Sequence, residues 1–102
     1  MQEKRAHRRT PLRSELTCKL PSGATFAGTS RDISLGGMFI ETTERPTFGT
    51  ALEIMATLPG TLGAVRLPGI VRWTGPDGIG VQFGLLGARE THAITKVIKP
   101  SS

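Results

Sequence analysis

The chain has no tyrosine, a single tryptophan (Trp73) and a single cysteine (Cys18) in 102 residues. One cysteine cannot close an internal disulfide, so stability must come from packing, and a reducing cytoplasm suits such a protein. Cys18 falls in an alternating pattern, which makes it a small buried hydrophobe and not a nucleophile. Long apolar runs are also missing. Nothing approaches the ~20 residues that a helix needs to cross a bilayer, and the charged N-terminus lacks the apolar stretch of a signal peptide. Neither membrane insertion nor secretion is expected. His7 and His92 are the only histidines, far apart, and no metal-ligand spacing exists around them or around Cys18. The glycines form no G-x-x-x-x-G-K-[S/T] phosphate loop. No nucleophile–base pair or closely paired carboxylates are brought together by the pattern, so no catalytic residues, metal or cofactor are expected, and the protein is not expected to be an enzyme.

What the chain does have is turn chemistry. Thirteen glycines and seven prolines punctuate short alternating segments, a composition that favours many strands over long helices. Leu12, Leu16, Cys18 and Leu20 alternate with Arg13, Glu15, Thr17 and Lys19, which predicts a half-buried strand over 12–20. After the turn "PSGA", Thr25 to Ser34 can form a second strand. Gly36 and Gly37 open a third with Met38, Phe39 and Ile40, which runs into the polar loop "ETTERPTFGT". Ala51 to Leu58 is a fourth, with Leu52, Ile54, Ala56 and Leu58 on one face. Val65 to Trp73 is a fifth, interrupted by Pro68 and Gly69, where a bulge or a sheet edge is expected. "GPDG" turns the chain into a last strand with Ile79, Val81 and Phe83 alternating. Trp73, Phe26, Phe39, Phe48 and Phe83 read as core or partly exposed barrel wall, ahead of the other reading, a ligand-stacking role. Near the end, helical spacing joins Leu85, Ala88, His92, Thr95 and Ile98, or Leu86, Ala93 and Val97, so a short C-terminal helix is predicted. Six strands separated by turns imply a small antiparallel barrel or sandwich in a single domain.

Charge is concentrated at one end. Residues 1–19 carry Lys4, Arg5, Arg8, Arg9, Arg13 and Lys19 against Glu3 and Glu15, or +4 of the net +5. A basic arm over residues 1–13 before a nearly neutral globule, 12–98, implies an anionic partner, unless the arm is simply a solvated tail. Arg5 and Arg9 each offer a planar fork of donors that can pair with phosphate or with the N7 and O6 edge of guanine, and a flat face that can stack on a base. At the end of the second strand, "SRDISLGG" sets Asp32 and Ser34 two residues apart. In an extended chain their side chains leave on the same face, beside glycines that let something approach the backbone. A sheet rim with a local Asx-type hydrogen bond would use the same residues.

These two stretches, Arg5-Ala6-His7-Arg8-Arg9 and Asp32-Ile33-Ser34-Leu35-Gly36-Gly37, resemble the R-x-x-x-R and D/N-x-S-x-x-G motifs of the PilZ domain family. "TPL" after the arginines and "GIGVQF" from Gly78 to Phe83 extend the resemblance over nearly the whole chain. The resemblance implies an all-β fold, a six-stranded antiparallel β-barrel with a short C-terminal helix. It also implies a receptor for the bacterial second messenger cyclic di-GMP. Arg5 and Arg9 would grip phosphate and guanine, Asp32 and Ser34 would accept from guanine donors or contact the ligand, and Gly37 would keep the rim clear. Lys4, Arg8 and Gly36 are accessory candidates, Lys4 at a position that the family links to binding of one ligand or a pair. Such a receptor would be a standalone adaptor, monomer or dimer. It would signal to a protein partner in motility, adhesion, biofilm exopolysaccharide or developmental control. Two other readings are a nucleic-acid-binding small barrel and a PilZ-like adaptor that has lost its ligand. Against the first, residues 1–25 carry no aromatic to interleave with the basic arm.

Overall fold

Leu16 and Cys18 point inward and Glu15, Thr17 and Lys19 outward, the period of two that a strand with one wet face requires. The same logic builds the rest of the sheet in the computed structural model, which describes residues 10–58 and 63–98. Among the described residues the elements are β1 (Thr10–Pro11), β2 (Glu15–Lys19), β3 (Thr25–Ile33), β4 (Gly37–Glu41), β5 (Ala51–Ala56), β6 (Val65–Thr74), β7 (Gly78–Phe83) and α1 (Ala88–Ile98). All pairings are antiparallel. The order β3-β2-β5-β6-β7-β4 closes because β4 also pairs with β3, giving a six-stranded barrel to which β1 adds a short extra strand beside β3. Closure removes the free edges that an open sheet would expose.

The expected first strand divides in two. Thr10 and Pro11 pair with Ile33 and Asp32, the regular register is interrupted at residues 12–14, where Leu12 still donates to the Arg31 carbonyl at 3.0 Å and the Ser14 carbonyl accepts from Ser30 at 2.9 Å, and it resumes at Glu15 opposite Thr29. Ser30 stitches this break from inside. Its buried hydroxyl donates to the Leu12 carbonyl at 2.6 Å and accepts from the Ser14 amide at 3.0 Å. The basic arm therefore gives up its last residues to the barrel, with Leu12 in the core.

Pro68 and Gly69 do not make an edge. Pro68 lies opposite Glu53 and Gly69 opposite both Leu52 and Phe83. The Pro68 carbonyl accepts from Gly84 at 2.8 Å, just past the end of β7. A residue's N–H and C=O leave a strand on the same side, so the donor that proline lacks is lost beyond β7 and not from the β5 ladder. The irregularity of β6 falls instead between Val71 and Trp73.

The core is largely aliphatic, with Ile33, Met38, Ile40, Ile54, Leu67, Val71 and Ile79 fully enclosed, Phe26 and Phe83 also buried in it, and Ile94 of α1 joining it. Of the two helical stripes, Leu86, Ala93 and Val97 all face the core, whereas of the other only Ile98 packs against it. Leu85 and Leu86 both precede the helix, and of these neighbours Leu86 packs against the core while Leu85 turns to water. Phe48, expected in the core or barrel wall, lies instead on the exposed loop between β4 and β5, with the Arg72 guanidinium 5.8 Å from its ring. No helix among the described residues is long and apolar enough to cross a membrane.

Candidate functional site

The site is organised by one cross-strand row on the outer face of the barrel. Asp32 of β3 lies opposite Phe39 of β4, Phe39 opposite Gly80 of β7, and Gly80 opposite Trp73 of β6. Residues directly opposite one another share a face, and Met38 and Ile40 are buried on either side of Phe39, so the row is external. On the other side of Asp32, Pro11 of β1 is its register partner. The described chain thus starts at Thr10, one residue after Arg9, beside the Asp32 motif. Lys4, Arg5, Arg8 and Arg9 themselves lie outside the described residues.

Two β-bulges set this face. In β3 the register shifts between Ser30 and Asp32, and in β6 between Val71 and Trp73. Without the first, alternation from buried Ser30 would turn Asp32 inward. The extra residue resets the phase, so Arg31 and Asp32 both face out while Ile33 returns to the core. In β6 the same device exposes Arg72 and Trp73 together. Arg72 Nε donates to Gln82 Oε1 at 2.7 Å.

The aromatic pair has a defined geometry. The rings of Phe39 and Trp73 have centroids 5.6 Å apart and planes inclined by 44°. Gly80 puts no side chain between them, a Cβ there meeting Trp73 Cβ at 3.4 Å, and the indole folds back over the backbone of Gly75, where a Cβ would overlap the ring. The Arg31 guanidinium lies over Phe39, 4.2 Å from the ring centroid. Its Nε donates to Glu41 Oε2 at 3.1 Å, and Arg13 Nη2 donates to Glu41 Oε1 at 3.2 Å. The Arg31 hydrogen bond above all, with the Arg13 charge assisting and desolvation opposing, holds the Glu41 carboxyl below the usual glutamate range. Arg31 does not stand out in the sequence as a site residue, its one signal being an arginine immediately before the Asp32 motif, and Phe39 and Trp73 read there first as core or barrel wall.

Ser34 is not on the Asp32 face. β3 ends at Ile33, so the two-residue period stops before Ser34, which is buried in the turn that follows. Its Oγ accepts from the amides of Gly36 at 3.1 Å and Gly37 at 3.2 Å, and its own amide donates to the Gly37 carbonyl at 2.8 Å. The Gly36 carbonyl accepts from Phe83 at 2.8 Å, tying this turn to β7. Gly37 has a steric reason to be glycine: a Cβ there would overlap the Val81 carbonyl oxygen. The D-x-S-x-x-G stretch therefore divides its labour, with Asp32 on the outer row and Ser34, Gly36 and Gly37 shaping the rim beside it.

A closed six-stranded antiparallel barrel with a short C-terminal helix defines a class of small β-barrel domain. The chain belongs to the PilZ domain family, whose model matches residues 3–98. Its fold is similar to the PilZ domain of CeSA from a cellulose-synthesizing bacterium, at TM-score 0.71 and 17% identity, covering 88% of this chain and 94% of that one. It is also similar to the PilZ domain of YcgR from Escherichia coli with c-di-GMP, at TM-score 0.73 and 19% identity, over 94% and 89% of the two chains. Against MrkH of K. pneumonia in its c-di-GMP complex the TM-score is 0.72 at 19% identity, covering 95% of this chain but 52% of that one. No curated protein matches the chain by sequence.

Proposed function

We propose that this protein is a receptor for cyclic di-GMP that binds it on the outer row between the N-terminal arginines and the β3–β4 rim, without catalysing a reaction. The observation that carries this reading is the row itself, with Asp32 at one end, two aromatic faces along it, and the last residue of R-x-x-x-R one position from the strand that pairs with Asp32. A cyclic dinucleotide presents anionic phosphates together with purines whose Watson–Crick edge donates and whose Hoogsteen edge accepts. Arg5 and Arg9 supply charge and forks for phosphate or guanine, Asp32 accepts from guanine N–H groups, and Phe39 and Trp73 supply stacking surface. A carboxylate in a site for a simple polyanion would only repel it. Ser34, Gly36 and Gly37 serve the ligand by fixing the rim. Membership of the family and the YcgR and MrkH complexes support the choice of ligand. The protein acts in the cytoplasm. Ligand binding brings Arg5 and Arg9 together with the barrel rim, and a protein partner distinguishes the bound surface from the free one.

The half-exposed Trp73 beside a partly buried Phe39 that carries Arg31 on its ring gives some support to a second reading, a single-stranded nucleic acid site, since such sites combine cations with aromatic platforms. Calorimetric titration with cyclic di-GMP, linear di-GMP and single-stranded DNA separates the two. Saturable binding of the cyclic dinucleotide alone supports the receptor; steeply salt-dependent binding of DNA, with none of the cyclic dinucleotide, overturns it. Arg5→Ala and Arg9→Ala should each remove charge-assisted bonds worth about 1.5–3 kcal/mol, weakening binding about tenfold to a hundredfold without unfolding the barrel.

A further inference from the structure

We propose that Arg31 is a ligand-contacting residue of this site, with Glu41 as the positioning residue that holds it. The inference rests on the cyclic di-GMP reading and deepens it. Three observations converge on it. First, the β3 bulge that turns Asp32 outward has Arg31 as its inserted residue, so the acceptor and this cation reach the outer face by the same backbone device. Second, the guanidinium lies on the Phe39 ring at 4.2 Å, and its side chain remains 45% exposed, which continues the stacking surface with a charged plane. Third, the bond to Glu41 is made by Nε, one of the five N–H donors of the group.

The electrostatics give this arrangement a purpose. Asp32 suits guanine donors but opposes the phosphates of the same ligand, and a cation one residue away offsets that repulsion on the same face. A lysine would supply charge without the fork or the plane. Glu41 is itself shared with Arg13, whose Nη2 takes the other carboxylate oxygen. The carboxylate therefore fixes the Arg31 guanidinium from one side while its remaining donors serve the ligand.

The test is calorimetric titration of the full chain with cyclic di-GMP for the wild type, Arg31→Met, Arg31→Lys, Glu41→Gln and the double variant Arg31→Met/Glu41→Gln, with thermal melts to confirm folding. Arg31→Met should weaken binding about tenfold and Arg31→Lys should not restore it, because the fork and plane are what the site uses. Glu41→Gln should weaken binding less than Arg31→Met, and should have no further effect once Arg31 is methionine. Wild-type affinity in Arg31→Met overturns the inference while leaving the receptor reading intact. An equal cost of Glu41→Gln in both backgrounds removes the positioning role. A wild-type protein that binds no cyclic di-GMP overturns the receptor reading, and this inference with it.

Discussion

Phe39 and Trp73 sit 5.6 Å apart, ring to ring, across the backbone of Gly80, which is the register partner of both. No side chain stands between them. Trp73 is half exposed and is the sole tryptophan, so its emission reports on this spot alone. Phe39→Ala should bare more of the indole to water and shift its emission to longer wavelength while the barrel stays folded. Cyclic di-GMP titrated into the wild type should perturb the same emission. Unchanged spectra in both experiments would remove the aromatic pair from the site.

Ser34→Ala should act first on stability. The hydroxyl is the acceptor for two amides in a buried turn, and stranding them costs about 1–3 kcal/mol. Urea unfolding should show a lower midpoint with the slope preserved. Any loss of ligand affinity would then come from a loosened rim. A variant with its full midpoint but reduced affinity would return Ser34 to direct contact.

Gly37→Ala sets Cβ against the Val81 carbonyl, a clash between backbones that neither β4 nor β7 can relieve without parting. Overpacking of this kind costs about 1–3 kcal/mol or more. Gly84→Ala, whose Cβ would meet Pro68 Cβ at an ordinary 3.5 Å, should change stability by no more than about 0.5 kcal/mol. Equal melting temperatures for the two variants would contradict this account of Gly37.

Burial pushes the Cys18 thiol up to about 12 from 9.0. The native state thus favours the neutral thiol more than the unfolded chain does. That contribution is complete below pH 9 and is lost as pH rises from 9 toward 12. The difference in unfolding free energy between wild type and Cys18→Ala should accordingly shrink across that interval. At neutral pH a thiol reagent should label Cys18 only after denaturant is added.

Much of the barrel is legible in the chain. Leu16 and Cys18, Leu52, Ile54 and Ala56, and Ile79, Val81 and Phe83 are found buried on the faces that their alternation assigns. Strand boundaries hold to within a few residues, because turn residues such as those of "PSGA" and "GPDG" act locally. Gly23 takes a φ of +96° and Leu20 closes on Ala24 at 2.8 Å, which needs nothing from the rest of the fold. The D-x-S-x-x-G stretch is legible as a motif too, though not the division of its labour. A period of two carried one residue too far puts Ser34 beside Asp32, whereas the strand has ended at Ile33.

The sequence by itself determined which segments become strands, which faces are apolar, where the charge collects and which family's motifs the chain carries. Only the tertiary structure decided that Asp32, Phe39, Gly80 and Trp73 form one line, that Arg31 and Arg72 stand outside on bulges, and that Phe48 and Leu85 face water. The reason is physical. Alternation and turn preference are interactions between near neighbours along the chain, whereas register and bulge position are set when distant strands must close one barrel around one core, and a shift of one residue there turns every following side chain to the other face.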